Sequence, residues 1–408
     1  MPTPTISVQL SLDASSYGNT FFTLDSATRG VLDGTTFKLG GEFYVDVTQY
    51  VKDVSVSRGR SRELDRFNTG TASVTFKNQD RTFDPTNTTS TLYPNIVPRR
   101  PIRITANGTA VYTGYVDDWN LSYSVSGLSD ASAACVDGFA ILAKQNLSAA
   151  TATSESSGTR IAAILARPEV DWPLSLQAID TGQQTLQADV IAEDTNALTY
   201  LQLVEASEPG SFFIDKSGRA TFEDRNTAWT VSTTTFSDDG TALPYSEISV
   251  VYGTELLFNR VQTTRVGGVT QTANNTASQA TYGINTLDDS GLLIDTDENA
   301  LALSNYLLGR YQTPELRVDQ ITIELNGLST LQQDTILGLE MTNVVTVKFQ
   351  PNKTGVVITQ TLQILGVSHQ VRMDSHRVTF GLGATDGRVA FVLDSLAFGV
   401  LDTSTLGF

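Results

Sequence analysis

Few residues in this chain are equipped for chemistry, and their spacing narrows what remains. There are two histidines, His369 and His376. They lie either side of Met373-Asp374-Ser375, which reads as a hairpin turn, so the two rings can face each other across paired strands. With Asp374 they offer a metal too few ligands, because protein sites need three or four convergent donors held by supporting hydrogen bonds. Two histidines on a sheet face is the plainer reading. Cys135 is the only cysteine, which excludes an internal disulfide and a Cys-rich zinc site. No Gly-x-Ser-x-Gly elbow, His-Glu-x-x-His helix or Gly-x-x-x-x-Gly-Lys phosphate loop occurs. Carboxylates are plentiful, and a glycosidase needs only two of them about 5–10 Å apart in a cleft. Most aspartates, however, sit in turn-like runs such as Asp117-Asp118, Asp238-Asp239-Gly240 and Asp288-Asp289-Ser290-Gly291, where turn and cap roles explain them. Asp215-Lys216-Ser217-Gly218 starts like a calcium loop but lacks the alternating ligands and late glutamate. It reads as a turn joining strands at 212–214 and 220–222. The expectation is a chain that is not an enzyme, with no catalytic residue, cofactor or metal.

Charge narrows the partners. Lys plus Arg number 27 against 44 Asp plus Glu, a net charge of -17, so the chain as a whole repels phosphate where a nucleic-acid binder needs a cationic footprint. One stretch reverses the sign. Between Arg58 and Arg103 stand nine basic residues (Arg58, Arg60, Arg62, Arg66, Lys77, Arg81, Arg99, Arg100, Arg103) and four acidic ones (Glu63, Asp65, Asp80, Asp84). Nucleic-acid binding, a solvated basic loop and a cationic face meeting an acidic face of another subunit are the three readings. The third is preferred, because Arg favours paired contacts and aromatics for base stacking are scarce.

The elements that would position these groups are mostly strands. Ala72, Val74 and Phe76 alternate with Ser73, Thr75 and Lys77. The same period of two recurs at 102–104, 121–125, 321–325, 345–349 and 378–382, as in antiparallel sandwiches and barrels. Asn107-Gly108, Gly267-Gly268 and Pro351–Gly355 mark turns. Helices are expected at 159–167, at 194–207 capped by Asp194 or Thr195, after Asp295 or Thr296, and at 331–337. With 40% hydrophobic residues and no apolar run of membrane length, the chain reads as folded without a membrane span. Its first residues lack the pattern of a secretory signal. The fold class expected is mainly β with inserted helices. Leu147–Gly158 reads as a linker or long loop, and Thr230–Pro244 as a second boundary. The expected division is a first β domain at 1–147, an α+β domain at 148–245, a second β domain at 246–390 and a tail at 391–408.

The pattern Leu-Asp-Ser-x-x-x-Gly-Val-Leu-Asp occurs twice, at 24–33 and 393–402. Leu24, Asp25, Val31, Leu32 and Asp33 in the first copy match Leu393, Asp394, Val400, Leu401 and Asp402 in the second. Docking of both copies on partner proteins, packing of the copies on each other, and accident in a Leu/Asp/Gly-rich context are the readings open here.

A longer run of residues carries a family likeness. Asp46-Val47-Thr48 through Ser57-Arg58-Gly59-Arg60 leads into Leu64-Asp65-Arg66-Phe67-Asn68-Thr69-Gly70 and then Ala72 through Pro85. With Arg100-Pro101-Ile102-Arg103-Ile104, Tyr112 through Trp119, and the later segments 218–225, 255–260, 282–283, 291–297, Arg310-Tyr311 and Pro314, the chain resembles minor tail proteins of long-tailed phages infecting actinobacteria. The resemblance implies a tail hub, similar in plan to the baseplate hub of contractile-tailed phages. Such a hub has two tube-like β domains per chain and a smaller decorating domain, closing as a homotrimer into a ring. Its partners would be the tail tube or distal tail ring, other tip proteins and the tape measure protein. DNA would pass through without specific binding, repelled by a negatively charged lumen. The chain would be placed in the virion, at the tail tip, after assembly in the host cytoplasm. On this reading Arg58, Arg60, Arg62 and Arg66, on the loop 58–70, together with Arg99 and Arg100, make contacts between subunits or rings. A receptor- or carbohydrate-binding tip protein is the alternative, and a cell-wall hydrolase a third class. Scattered Trp119, Trp172 and Trp229 do not favour sugar stacking.

Overall fold

The computed structural model describes residues 3–12, 44–125, 127–225, 233–385, 389–390 and 404–405. Both copies of the Leu-Asp-Ser-x-x-x-Gly-Val-Leu-Asp pattern lie outside the described residues.

Thirteen strands form one sheet. Seven come from the first part of the chain: β1 (Ile6–Ser11), β2 (Tyr44–Asp46), β3 (Val51–Gly59), β4 (Asn68–Lys77), β5 (Pro101–Ala106), β6 (Thr109–Tyr123) and β7 (Ser129–Val136). Six come from the last part: β8 (Thr234–Ser237), β9 (Glu247–Tyr252), β10 (Leu316–Glu324), β11 (Val344–Phe349), β12 (Ile358–Arg372) and β13 (Ser375–Ala384). The alternation read from the sequence is what buries one face. Val54, Val56, Val74 and Phe76 are enclosed while Ser55, Ser57, Ser73 and Thr75 turn to the other side.

The two sets of strands repeat one topology. In the first half the order is β1-β5-β6-β7-β4-β3, with β2 added outside β1; in the second it is β8-β11-β12-β13-β10-β9. Matched by chain order, these are the same arrangement, and the matching pairs β5·β6, β6·β7, β7·β4 and β4·β3 are antiparallel like β11·β12, β12·β13, β13·β10 and β10·β9. Strands β6 and β12 are each 15 residues long. Each is broken by an irregularity against its hairpin partner, at Val116/Asp118 and at Ile364/Gly366. Only the outermost pair differs: β1 runs antiparallel to β5, whereas β8 runs parallel to β11.

The halves are joined edge to edge. Residues 366–372 of β12 pair antiparallel with β3, from Gly366 opposite Gly59 to Arg372 opposite Asp53. Instead of two separate barrels or sandwiches, one sheet therefore runs across both halves, and it does not close into a barrel. The join depends on glycine. Gly59 has φ +116, and a Cβ there would lie 2.3 Å from the Leu365 carbonyl oxygen and 2.4 Å from Gly366 Cα.

Insertions between the strands carry the helices. Between the halves lie α1 (Ser157–Leu165), α2 (Ala197–Ser207) and the hairpin Ser211–Ile214/Ala220–Glu223, the turn expected at Asp215–Gly218. Leu147–Gly158 is not a loose linker. Its short strands at 146–147, 150–152 and 155–156 pair with 195–196, 189–191 and 185–186, and α1 begins at Ser157. Within the second half, α3 (Thr276–Tyr282) and α4 (Asp297–Tyr311) lie between β9 and β10, and α5 (Thr330–Gly338) lies between β10 and β11. Thr296 caps α4 by accepting from Asn299 N at 3.1 Å. Asn196 caps α2 rather than the residues just before it, and Ser329 with Gln332 forms a capping box on α5.

Candidate functional site

The sheet offers a broad polar face and, among the described residues, three end strands, β2, β8 and β9. Across the face, cross-strand partners form continuous polar rows in which serine and threonine predominate and charged or amide side chains are interspersed. One row runs Thr322, Thr379, Ser368, Ser57, Thr71. The next runs Glu324, Arg377, Gln370, Ser55, Ser73. A third runs Arg372, Asp53, Thr75, Ser132, Asn120. Thr322 and Thr379 hydroxyls lie 3.2 Å apart, Ser73 and Ser132 hydroxyls 3.3 Å, and Thr75 donates to Asp53 at 3.2 Å. Lys52 is paired to Asp130 at 2.7 Å and Arg377 to Glu324 at 2.6 Å. Such a surface is hydrated and smooth, and cations already held by carboxylates grip phosphate weakly.

The basic stretch is divided between interior and surface. Arg58 is buried on β3, and its Nη1 donates to Glu340 Oε1 at 2.8 Å, beyond the end of α5. Arg60 lies over the Phe67 ring, 4.6 Å from its centroid. Arg100 is buried and donates to Asn95 Oδ1 at 2.9 Å, while Arg99 is half-buried near Asp117. Arg62 is exposed and paired with Glu255, and Arg66 is exposed. Of the six arginines, then, Arg62 and Arg66 are the ones at the surface, and Arg58 and Arg100 are committed within the chain.

Arg60 and Arg66 also line a cavity of about 210 Å³ with Glu205 on α2 and Glu223 on the adjoining hairpin. Burial pushes both of these carboxyls up to about 7. His369 and His376 do face each other across the β12–β13 hairpin, His369 Nδ1 lying 3.1 Å from His376 Nε2. Both are buried, and burial holds them neutral, pushing His376 down to about 4. Among the described residues no group of three or more His, Cys, Asp or Glu is placed to hold a metal. No helix among them is long and apolar enough to cross a membrane.

The edges were not singled out by the sequence. Strand β9 ends the sheet, paired among the described residues with β10 on one side only. Its Val250 and Tyr252 are 36% and 67% exposed. Ile248, Val250 and Tyr252 recur at the strand period, with Val251 interrupting the alternation, but exposure of Val250 and Tyr252 depends on which strands lie alongside, which no local pattern records.

No family model matches this chain, and no curated protein matches it. Solved structures do. A tail protein from Neisseria meningitidis superposes with a TM-score of 0.61 at 12% identity, covering 95% of this chain and 98% of that one. A 43 kDa tail protein of a Shewanella oneidensis prophage gives 0.57 at 12% identity, covering 94% and 97%. A prophage tail protein from Listeria monocytogenes gives 0.51 at 11% identity, covering 92% and 94%. The chain shares its fold, end to end, with these proteins.

Proposed function

We propose that the chain is a structural subunit of a phage tail, a hub near the tip through which DNA passes, and not a catalyst. The observation that carries this reading is the duplicated six-strand topology joined into one sheet, in a fold shared along nearly its whole length with tail proteins. A chain built of two like units joined side by side supplies an even number of units to a ring. Three copies would give six, the match a three-fold tip needs to meet a six-fold tube. On this reading the hydroxyl face lines the bore. Its serine and threonine rows, with their carboxylates and paired cations, offer phosphate little to bind, which suits a polymer that must slide past a lumen expected to be negatively charged. The two tryptophans among the described residues give the carbohydrate-binding alternative no support, since Trp172 is buried and Trp119 stacks on Phe83.

Gold-labelled antibody against the chain, applied to particles released from cells carrying the gene, tests the proposal. Label at one end of the tail is expected. Tails without label, from particles whose protein inventory lacks the chain, would overturn it.

A further inference from the structure

We propose that the outer edge of β9 in one copy pairs, antiparallel, with residues 118–123 of β6 in a second copy of this chain, setting Val250 opposite Leu121 and Tyr252 opposite Trp119. The inference rests on the ring reading above and specifies its interface.

The argument is the internal repeat. In the second half, β12 is covered beyond its irregularity by a strand from the other half: residues 366–372 pair with β3. In the first half the matching segment of β6, residues 118–123, pairs with β7 on one side, and β5 reaches only as far as Tyr115 on the other. No strand covers that side among the described residues. The counterpart of β3 in the second half is β9, and its outer edge is likewise uncovered among the described residues. One half thus presents the socket and the other the strand that, by equivalence, fills it.

Register follows from matching the two irregularities. Placing Asp118 on Gly366 brings Leu121 onto His369 and Tyr123 onto Val371. Following the pairings through β7·β4·β3 and β13·β10·β9 brings Ser249 onto Ser55 and Val250 onto Val56. Gly253 falls on Gly59, glycine on glycine. The observed pairs Val54–Val371, Val56–His369 and Arg58–Val367 then predict Ile248–Tyr123, Val250–Leu121 and Tyr252–Trp119 between copies. Apolar meets apolar at all three, and Ser249 meets Ser122 on the other face. A slip of one residue would set each apolar side chain against a polar neighbour. Tyr123 is 55% exposed in the single chain, its hydroxyl donating to Asp84 Oδ2 at 2.8 Å while its ring stays open to a neighbour.

A second contact agrees. Within the chain, Asn107 on the β5–β6 turn donates to Gln333 Oε1 and Asp334 Oδ1 on α5, at 3.1 and 3.0 Å. Its equivalent between copies joins the β11–β12 turn, where Val356 and Val357 are exposed, to the 78–100 link, where Tyr93 and Val97 are exposed. Strand and socket are different surfaces, so the contact is head-to-tail and must close into a ring or run on as a filament.

Cysteine pairing tests this with the full chain. Cys135 is buried and its thiol is kept protonated by burial, so it stays out of the exchange. Val250→Cys and Leu121→Cys chains are prepared separately, mixed, and linked by mild oxidation or a short bis-maleimide. A covalent dimer is expected in the mixture, at least tenfold above either variant alone and above a Val250→Cys/Ser122→Cys mixture. Native mass is read on the same samples. A ring-sized oligomer without the link, or linked only between identical positions, would overturn the pairing and leave the ring standing. A chain that stays monomeric and unlinked at every concentration would overturn both. As a second probe, Val250→Lys should abolish assembly without lowering the melting temperature of the single chain. Assembly unchanged by it would also overturn the pairing.

Discussion

The two halves share an order of strands and differ in what happens at the strand that joins each to its neighbour. In the first half that strand is β3, covered on both sides, carrying a buried arginine and ending in a glycine pressed against the opposite backbone. In the second half it is β9, covered on one side among the described residues, with valine and tyrosine exposed and Gly253 in open space. The contrast teaches that one architecture can be finished inside the chain at one joint and left unfinished at the other. The largest expected test of that contrast uses the matched glycines. Gly59→Ala should cost about 4 kcal/mol, combining a left-handed backbone that a side chain disfavours with a clash that only displacement of Leu365–Gly366 relieves. Gly253→Ala, with nothing near its missing Cβ, should leave chemical denaturation of the single chain unchanged. Equal losses at both positions would show that the joints are not distinct in the single chain.

The next effect lies in the ion pair behind the finished joint. Arg58 and Glu340 are far apart in sequence, and the arginine side chain is 2% exposed. Glu340 also accepts from Lys216 N at 2.9 Å and Met341 N at 2.9 Å, so it ties β3 to the insertion and to the second half together. Glu340→Gln should destabilise the chain by about 3 kcal/mol, because it leaves a buried guanidinium without its counter-charge. Arg62→Ala, at the exposed pair with Glu255, should cost no more than about 0.5 kcal/mol. Urea midpoints of the two variants give the comparison, and similar shifts would place Arg58 and Arg62 in one class after all.

These residues also show what the sequence could disclose. Strands, most turns and the helix caps are written in neighbours a few positions apart, so Thr296, the Asn107-Gly108 hairpin and the facing of His369 and His376 were legible. Arg58 was not. It stands among basic neighbours and reads as surface, and only a glutamate on the far side of the fold removes it from solvent. Leu147–Gly158 reads as linker because its small polar residues carry no periodicity, yet main-chain pairing with 185–196 orders it. The repeat was suspected only through a resemblance, because what the halves share is strand order and the place of an irregularity. Residue identity has drifted to Leu121 against His369 and Ser129 against His376.

That last pair of differences gives the smallest and most selective prediction. The first half carries no titratable group where the second carries two buried histidines, with the Arg58 and Lys216 cations acting on His369 from β3 and the 215–218 turn. Both rings are neutral in the folded chain, whereas the unfolded chain protonates them near 6.5, and His376 resists until about 4. Stability from this source is therefore complete above about pH 6.5 and is lost as the pH falls toward 4. Asp137, Glu205 and Glu223, each pushed up to about 7 by burial, run the other way, losing stability as pH rises toward neutrality. The measurement must therefore be a difference. His369→Leu with His376→Ser installs the first half's residues, and between pH 6.5 and 4 wild type should lose about 2 kcal/mol more than this variant. Parallel pH profiles would mean that the histidines are hydrated in solution, and that the second half's core is no more acid-sensitive than the first.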